Sequence, residues 1–136
     1  MTTYTEARNS IVQLVTETLA VSVPVFWENT LEIDLDKVGD HFIKVQVDFD
    51  DATQMTINDH PERRVYGEAV FTLMSKGGTG TLTRLGLIDS IENVVSFTRT
   101  TKVQFEVPRA GRKQERDGWV SQDFRAPFFF DSLSWA

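Results

Sequence analysis

Residues 63–98 constrain the fold more than any other stretch of the chain. From Arg63 to Met74, Val65, Gly67, Ala69, Phe71 and Leu73 fall on one side at period two, and Tyr66, Glu68, Val70 and Thr72 on the other. That alternation predicts a strand with one buried face. Ser75-Lys-Gly-Gly-Thr-Gly80 interrupts it, with too much glycine to stay extended or helical. From Leu82 to Thr98 the period becomes helical. Leu85, Ile88, Ile91 and Val95 form an apolar stripe flanked by Leu87 and Val94, while Asp89, Glu92, Asn93 and Ser96 face away. Thr79 or Thr81 is the candidate N-cap, its hydroxyl taking an unpaired amide proton of the first turn. A strand, a glycine break and an amphipathic helix make the first half of a crossover unit, around which the rest must pack.

Ahead of this unit, Thr3-Tyr-Thr-Glu6 has capping-box spacing and predicts a helix start. Ala7, Ile11, Leu14 and Thr18 share a stripe with Val12, Val15 and Leu19 beside it, and Ser22-Val-Pro24 ends the helix. Pro24 to Asn29 is expected to be an irregular link, with Phe26 and Trp27 as lids over the core. Leu31, Ile33 and Leu35 alternate with Glu32, Asp34 and Asp36, as a short edge strand or a loop touching the core at three points. A turn follows at 36–40. Phe42 to Asp50 alternates cleanly, with Ile43, Val45, Val47 and Phe49 on one face. The polar connection at 51–62 leads back into the strand at 63, so antiparallel pairing is expected.

Beyond the second helix, Val103, Phe105 and Val107 predict a third strand. Residues 108–118 read as a mobile charged loop. Val120, Phe124, Ala126, Phe128 and Phe130 predict a fourth strand, with Trp119, Ser121, Asp123 and Arg125 on its other side and a tail at 131–136. The expected fold is α+β: a two-layer sandwich with a four-stranded mixed sheet, two helices on one face, and the order α-β-β-α-β-β. The open sheet edges need a cover, and a partner chain is one such cover.

At 136 residues the chain is expected to form a single domain, residues 1–136. No run approaches the roughly 20 apolar residues that span a bilayer, and the first residues lack a basic region ahead of an apolar core. The absence of cysteine removes disulfides, thiolate catalysis and thiolate-bound metals. A net charge of −6 conceals an asymmetry. Residues 1–62 hold twelve acids and three bases, whereas residues 63–136 hold eight acids and eleven bases. Such polarity suits self-association if the halves are separate in space, and averages out if they interleave.

The residues offer little for catalysis. His41 and His60 are the two histidines, and no His-x-x-x-His or His-Glu-x-x-His spacing occurs. Asp48, Asp50, Asp51, Asp59 and Glu62 cluster without calcium-loop spacing. No Gly-x-Ser-x-Gly occurs, and a nucleophilic serine would need one of the two histidines as base. Gly77-Gly-Thr-Gly80 leads into a helix but lacks the Gly-Lys-[Ser/Thr] ending of a phosphate loop. No catalytic residue, metal or cofactor is therefore assigned. Arg109, Arg112, Lys113 and Arg116 form a basic segment without the interleaved aromatics of a nucleic-acid surface. They are read as a solvated tip or as an arm ordered against the acidic surface of a neighbouring subunit. Phe129, in the middle of Phe128-Phe-Phe130, is expected to turn outward or cover an edge, and an exposed Phe129 would mark an interface.

Several of these features together resemble the tail-terminator family of long-tailed bacteriophages, the minor tail protein U-like proteins. They are the first helix, Pro24-Val-Phe-Trp-Glu-Asn29 leading into Phe42-Ile-Lys-Val-Gln-Val47, Gly67 in a strand, the glycine break at 77–80, Ile88-Asp-Ser-Ile91 and Phe97 in the helix, and Trp119 with Ala126-Pro-Phe-Phe129. The resemblance implies a structural virion protein and no enzyme. Such proteins form a six-membered ring on the head-proximal end of the tail tube, stop its polymerisation and present the surface that joins the head connector. The implied partners are sibling copies, the tail-tube protein and the connector, with DNA passing through without specific binding and no membrane. The implied location is the virion tail, and the host bacterial cytoplasm during assembly. Arg109, Arg112, Lys113, Arg116 and Phe129 are the candidates for the subunit interface, and Asp48, Asp50, Asp51 and Asp59 for the lumen. The alternatives are another tail-tube or head-completion protein, told apart by whether the purified chain forms closed rings or open tubes, and a host α+β domain binding a small ligand in a deep apolar pocket.

Overall fold

The structure, a computed structural model, describes residues 3–18, 24–27, 41–54, 62–78, 81–96 and 102–133. Its elements run α1 (Tyr4–Thr18), β1 (Val25–Trp27), β2 (His41–Gln54), β3 (Glu62–Lys76), α2 (Thr81–Val95), β4 (Gln104–Phe105), β5 (Arg109–Arg116) and β6 (Trp119–Leu133). The α+β character holds, but the expected four strands in the order α-β-β-α-β-β are corrected to six among the described residues. Across the sheet they lie β1-β2-β3-β6-β4, and β5 also pairs with β6.

The two added strands escaped the sequence reading for different reasons. β1 is three residues long and runs parallel to β2, Val25 opposite Ile43 and Trp27 opposite Val45, too short for a period to register. It begins straight after Pro24, whose carbonyl accepts the Ile43 amide at 3.0 Å. β5 has no apolar face to alternate, because all eight of its residues are exposed. The segment expected as a loop at 108–118 is thus the first arm of a hairpin with β6. The third expected strand shrinks to Gln104–Phe105, since Val107 is turned out and 61% exposed. The possible strand at 31–35, the turn at 36–40, Thr79 and Trp135 lie outside the described residues.

The centre of the sheet follows the sequence pattern closely. β2 and β3 pair antiparallel, with Ile43, Val45 and Val47 opposite Leu73, Phe71 and Ala69. β3 pairs with β6 in the same sense, setting Val65, Gly67, Ala69 and Phe71 against Phe130, Phe128, Ala126 and Phe124. Ala7, Ile11 and Val15 of α1 and Ile88, Ile91 and Val95 of α2 join these residues in one buried cluster, so both helices cover one face. Gly67 is where the packing is tightest. A Cβ there would lie 2.6 Å from the Phe128 ring and 2.6 Å from the Asp48 carbonyl oxygen. Glycine lets the ring facing it across the ladder settle onto backbone.

The capping box forms as expected: the Thr3 amide donates to Glu6 Oε1 and the Glu6 amide to Thr3 Oγ1, each at 3.2 Å. In α2 the stripe is rotated. Ile88, Ile91 and Val95 are buried, but Leu85 is 44% exposed and Arg84 is buried in its stead. β3 and β4 both run antiparallel to β6 and are therefore parallel to each other, with β6 between them. Pro127 lies inside β6 where a missing donor does no harm. Its carbonyl accepts the Glu106 amide at 2.8 Å, so its nitrogen also faces that margin, between the pairing to β5 at Arg125 and to β4 at Phe128.

Candidate functional site

The face of the sheet turned away from the two helices carries the first set of polar groups. Arg125 Nη1 donates to Glu68 Oε1 at 2.6 Å, and Thr72 Oγ1 to Asp123 Oδ1 at 3.0 Å. Arg64 forks onto Asp131 through Nε and Nη2 at 2.9 and 3.3 Å, its guanidinium lying 4.3 Å above the Phe129 ring. The hydrogen bond to Glu68, then its charge, raises the Arg125 pKa, and Asp131 does the same for Arg64. These are ladder pairs between strands and stabilise the sheet. At one end of this face Phe26, Phe42 and Trp119 meet edge to face, with Phe42 fully buried. Phe26 therefore packs on this side, whereas Trp27 packs against the main core. On the helix side, hydrogen bonding from Lys102 and then Thr3 holds the Glu6 carboxyl below its ordinary pKa.

The sequence candidates separate into three groups. Phe129 is half-buried beneath Arg64 and beside Tyr66, so it serves the sheet surface instead of standing free. Asp48 is half-buried and accepts from Gln46 Nε2 at 2.9 and 3.2 Å, while Asp50 sits exposed where the register shifts between Phe49 and Asp51. The backbone of Asp51 pairs opposite Tyr66, and Asp59 lies outside the described residues. Arg109, Arg112, Lys113 and Arg116 come together on one strand, β5, all exposed.

β5 is held at three places. Asp117 (φ 52) and Gly118 (φ 80) both have positive φ, the two-residue turn that matches strand twist. The Gly77 amide, in the turn after β3, donates to the Gly118 carbonyl at 2.6 Å and pins the hairpin tip. At the other end the ladder is irregular between Ala110 and Lys113, and Gln122 Nε2 donates to the Gly111 carbonyl at 2.9 Å. Gln122 Oε1 in turn accepts Arg84 Nε at 3.0 Å, which ties the irregularity to α2. Arg84 was missed by sequence reasoning. The visible signal was a cation on the α2 stripe, one turn ahead of Ile88. Asp117-Gly118 likewise marks a hairpin turn that an unalternating arm concealed.

Among the described residues, Arg109, Arg112 and Lys113 have no carboxylate within ion-pair distance. Arg116 reaches Asp117 at 3.8 Å with both side chains almost fully exposed, a pair worth little in water. Arg64, Lys102 and Arg125 are all paired.

Nothing in the described residues assembles a reaction centre. Three or more potential metal-binding side chains do not converge anywhere among them. His41 Nδ1 lies 3.1 Å from Ser75 Oγ, but Ser75 is 1% exposed and cannot meet a substrate. An open depression of about 350 Å³ lies where Gly77 and Gly78 face Arg116, Asp117 and Trp119. Its lip is charged and it is not the enclosed apolar pocket that a small-ligand domain would have. No helix among the described residues is long and apolar enough to cross a membrane.

No protein-family model matches this chain, and no curated protein matches it. A solved structure that carries only a sequence identifier as its name is similar to it, with a TM-score of 0.65 and 12% sequence identity, covering 95% of this chain and 96% of that chain. At that identity the likeness shows the fold alone.

Proposed function

We propose that this chain is a structural subunit of the phage tail-terminator type. It closes into a ring with sibling copies on the head-proximal end of a tail tube, stops the tube from growing and offers the surface that joins the head connector. The observation that carries this reading is β5: a fixed strand of eight exposed residues at the sheet margin, bearing four bases without a strong carboxylate partner among the described residues. A margin of this kind gains from a partner of opposite charge, and the chain itself is acidic, at −6 overall. The alternation, the glycine break and the motifs at 24–29, 88–91 and 126–129 support the family resemblance. No catalytic step, cofactor or metal belongs to this role. Asp48, Asp50, Asp51 and Asp59 are nominated for the lumen, where acidic groups let DNA pass without gripping its phosphates. The protein would act in the virion tail, after assembly in the bacterial cytoplasm.

The test is direct. Purified chain added to its polymerising cognate tail-tube protein is expected to arrest the tubes, with a ring visible at one end by electron microscopy. Tubes that grow to the same lengths with and without it would overturn the proposal.

A further inference from the structure

We infer that the outer margin of β5 receives a strand from the acidic half of a second copy of this chain, so that the sheet continues from one subunit into the next in a head-to-tail sense. The inference rests on the ring reading only in naming a sibling as the occupant.

The backbone comes first. β5 pairs with β6 on one side, and among the described residues no strand pairs with its other side. Because Asp117-Gly118 is a two-residue turn, Arg116 and Trp119 form a hydrogen-bonded pair and the pattern alternates from there. Glu115 and Lys113 therefore point their N–H and C=O groups away from β6, toward the empty margin. A strand laid there would satisfy them, as in other cases of strand addition.

Charge then decides which strand. Basic side chains on an edge strand are a common guard against chance pairing. A guard needs one or two charges, whereas here Arg109, Arg112, Lys113 and Arg116 stand against Glu115 alone. Two copies meeting β5 to β5 would set like charges opposite one another, which opposes a symmetric dimer. An acidic strand meets no such penalty, and residues 1–62 carry twelve acids to three bases. Of the described strands of that half, β1 carries no acid, but β2 carries Asp48, Asp50 and Asp51 beyond the three residues it pairs with β1, on the far side of the sheet from β5. Unlike surfaces at opposite margins give a heterologous contact, and such contacts form rings when the rotation closes.

Rigidity favours the same outcome. The tip is fixed to Gly77 and the far end, through Gln122, to Arg84, so little order remains to be gained on docking.

Hydrogen exchange of the full chain, in dilute and in assembled form, tests this residue by residue. The Lys113 and Glu115 amides are expected to exchange freely when dilute and to become protected on assembly, while the Gln114 amide, bonded to β6, is protected in both. Lys113→Pro removes one outward donor and should weaken self-association about tenfold; an unchanged Gln114 amide would show that the hairpin survives. Replacing all four bases by glutamate destroys the donor margin but leaves the acidic surface intact. That variant alone should stay monomeric, and mixed with the normal chain it should end growing arcs and prevent closure. Association should also weaken as salt rises.

Lys113 and Glu115 amides that still exchange freely in the assembly would overturn the inference, as would cross-links joining β5 to β5 or a chain that never associates. The two proposals fail separately. Tubes arrested while those amides stay labile would leave the terminator reading and remove this one; protected amides with unaffected tube growth would do the reverse.

Discussion

β3 and β5 flank the same stretch of β6, residues 119–125, and share almost nothing else. β3 is fifteen residues long and presents Val65, Ala69, Phe71 and Leu73 to a dry core. β5 has no buried residue. Both are strands because β6 offers each a ladder of backbone groups, yet only one side of that ladder is sealed by apolar packing. The difference teaches that strand formation and burial are separate events. A chain margin can be ordered by a two-residue turn and two anchoring hydrogen bonds while contributing little to the core.

The comparison predicts unequal costs on its two sides. Phe128 is fully buried, meeting the Phe49 and Phe105 rings edge to face at 5.9 Å. Phe128→Ala is expected to cost about 3–5 kcal/mol in urea unfolding; a loss under half of that would mean the β3 side is no better sealed than the β5 side. Next comes Gly67→Ala, whose new methyl meets Phe128 and a backbone oxygen at 2.6 Å, with an expected loss of about 1–3 kcal/mol.

Gly118→Val places a β-branched residue at φ 80 and should cost about 1–3 kcal/mol, but locally. Hydrogen exchange should quicken through β5 and leave Phe71 and Leu73 of β3 protected; equal quickening in both would erase the distinction between them. On the exposed arm itself, Arg112→Gln and Lys113→Gln should each shift monomer stability by less than about 0.5 kcal/mol, measured by the same unfolding curves.

The smallest effect concerns pH. Glu6 titrates below its ordinary value because Lys102 and Thr3 hydrogen-bond its carboxylate. Its contribution is therefore present at neutral pH and lost as pH falls through that lowered value. Lys102→Ala should return the Glu6 titration, followed by NMR, toward the ordinary carboxylate range. No movement would show that the cap alone sets it.

How far the sequence was legible follows the same division. Where burial imposes a period, in β2, β3 and β6, residue types alone locate the element and its inward face but not its ends. Residues 51–54 and Glu62, expected in a connection, belong to β2 and β3, and 131–133, expected in a tail, belong to β6. Where it does not, other forces decide. β1 exists because Ile43 pairs with the carbonyl of Pro24, a nonlocal bond invisible in three residues. Leu85 and Arg84 exchange places because Gln122 offers the guanidinium a partner and the apolar stripe does not need the leucine. The basic residues of the arm were legible as a group, since four cations in eight positions require no fold to be noticed. That they form a margin, and which amides they leave facing out, needed the register.

Pro127 has one more effect. By withholding a donor where the flank of β6 changes from one neighbour to the other, it divides that flank into two independent tenancies. A partner strand that docks on the arm therefore meets a ladder that stops short of the seam at Phe105, and the margin that receives a neighbour is kept apart from the part that is sealed.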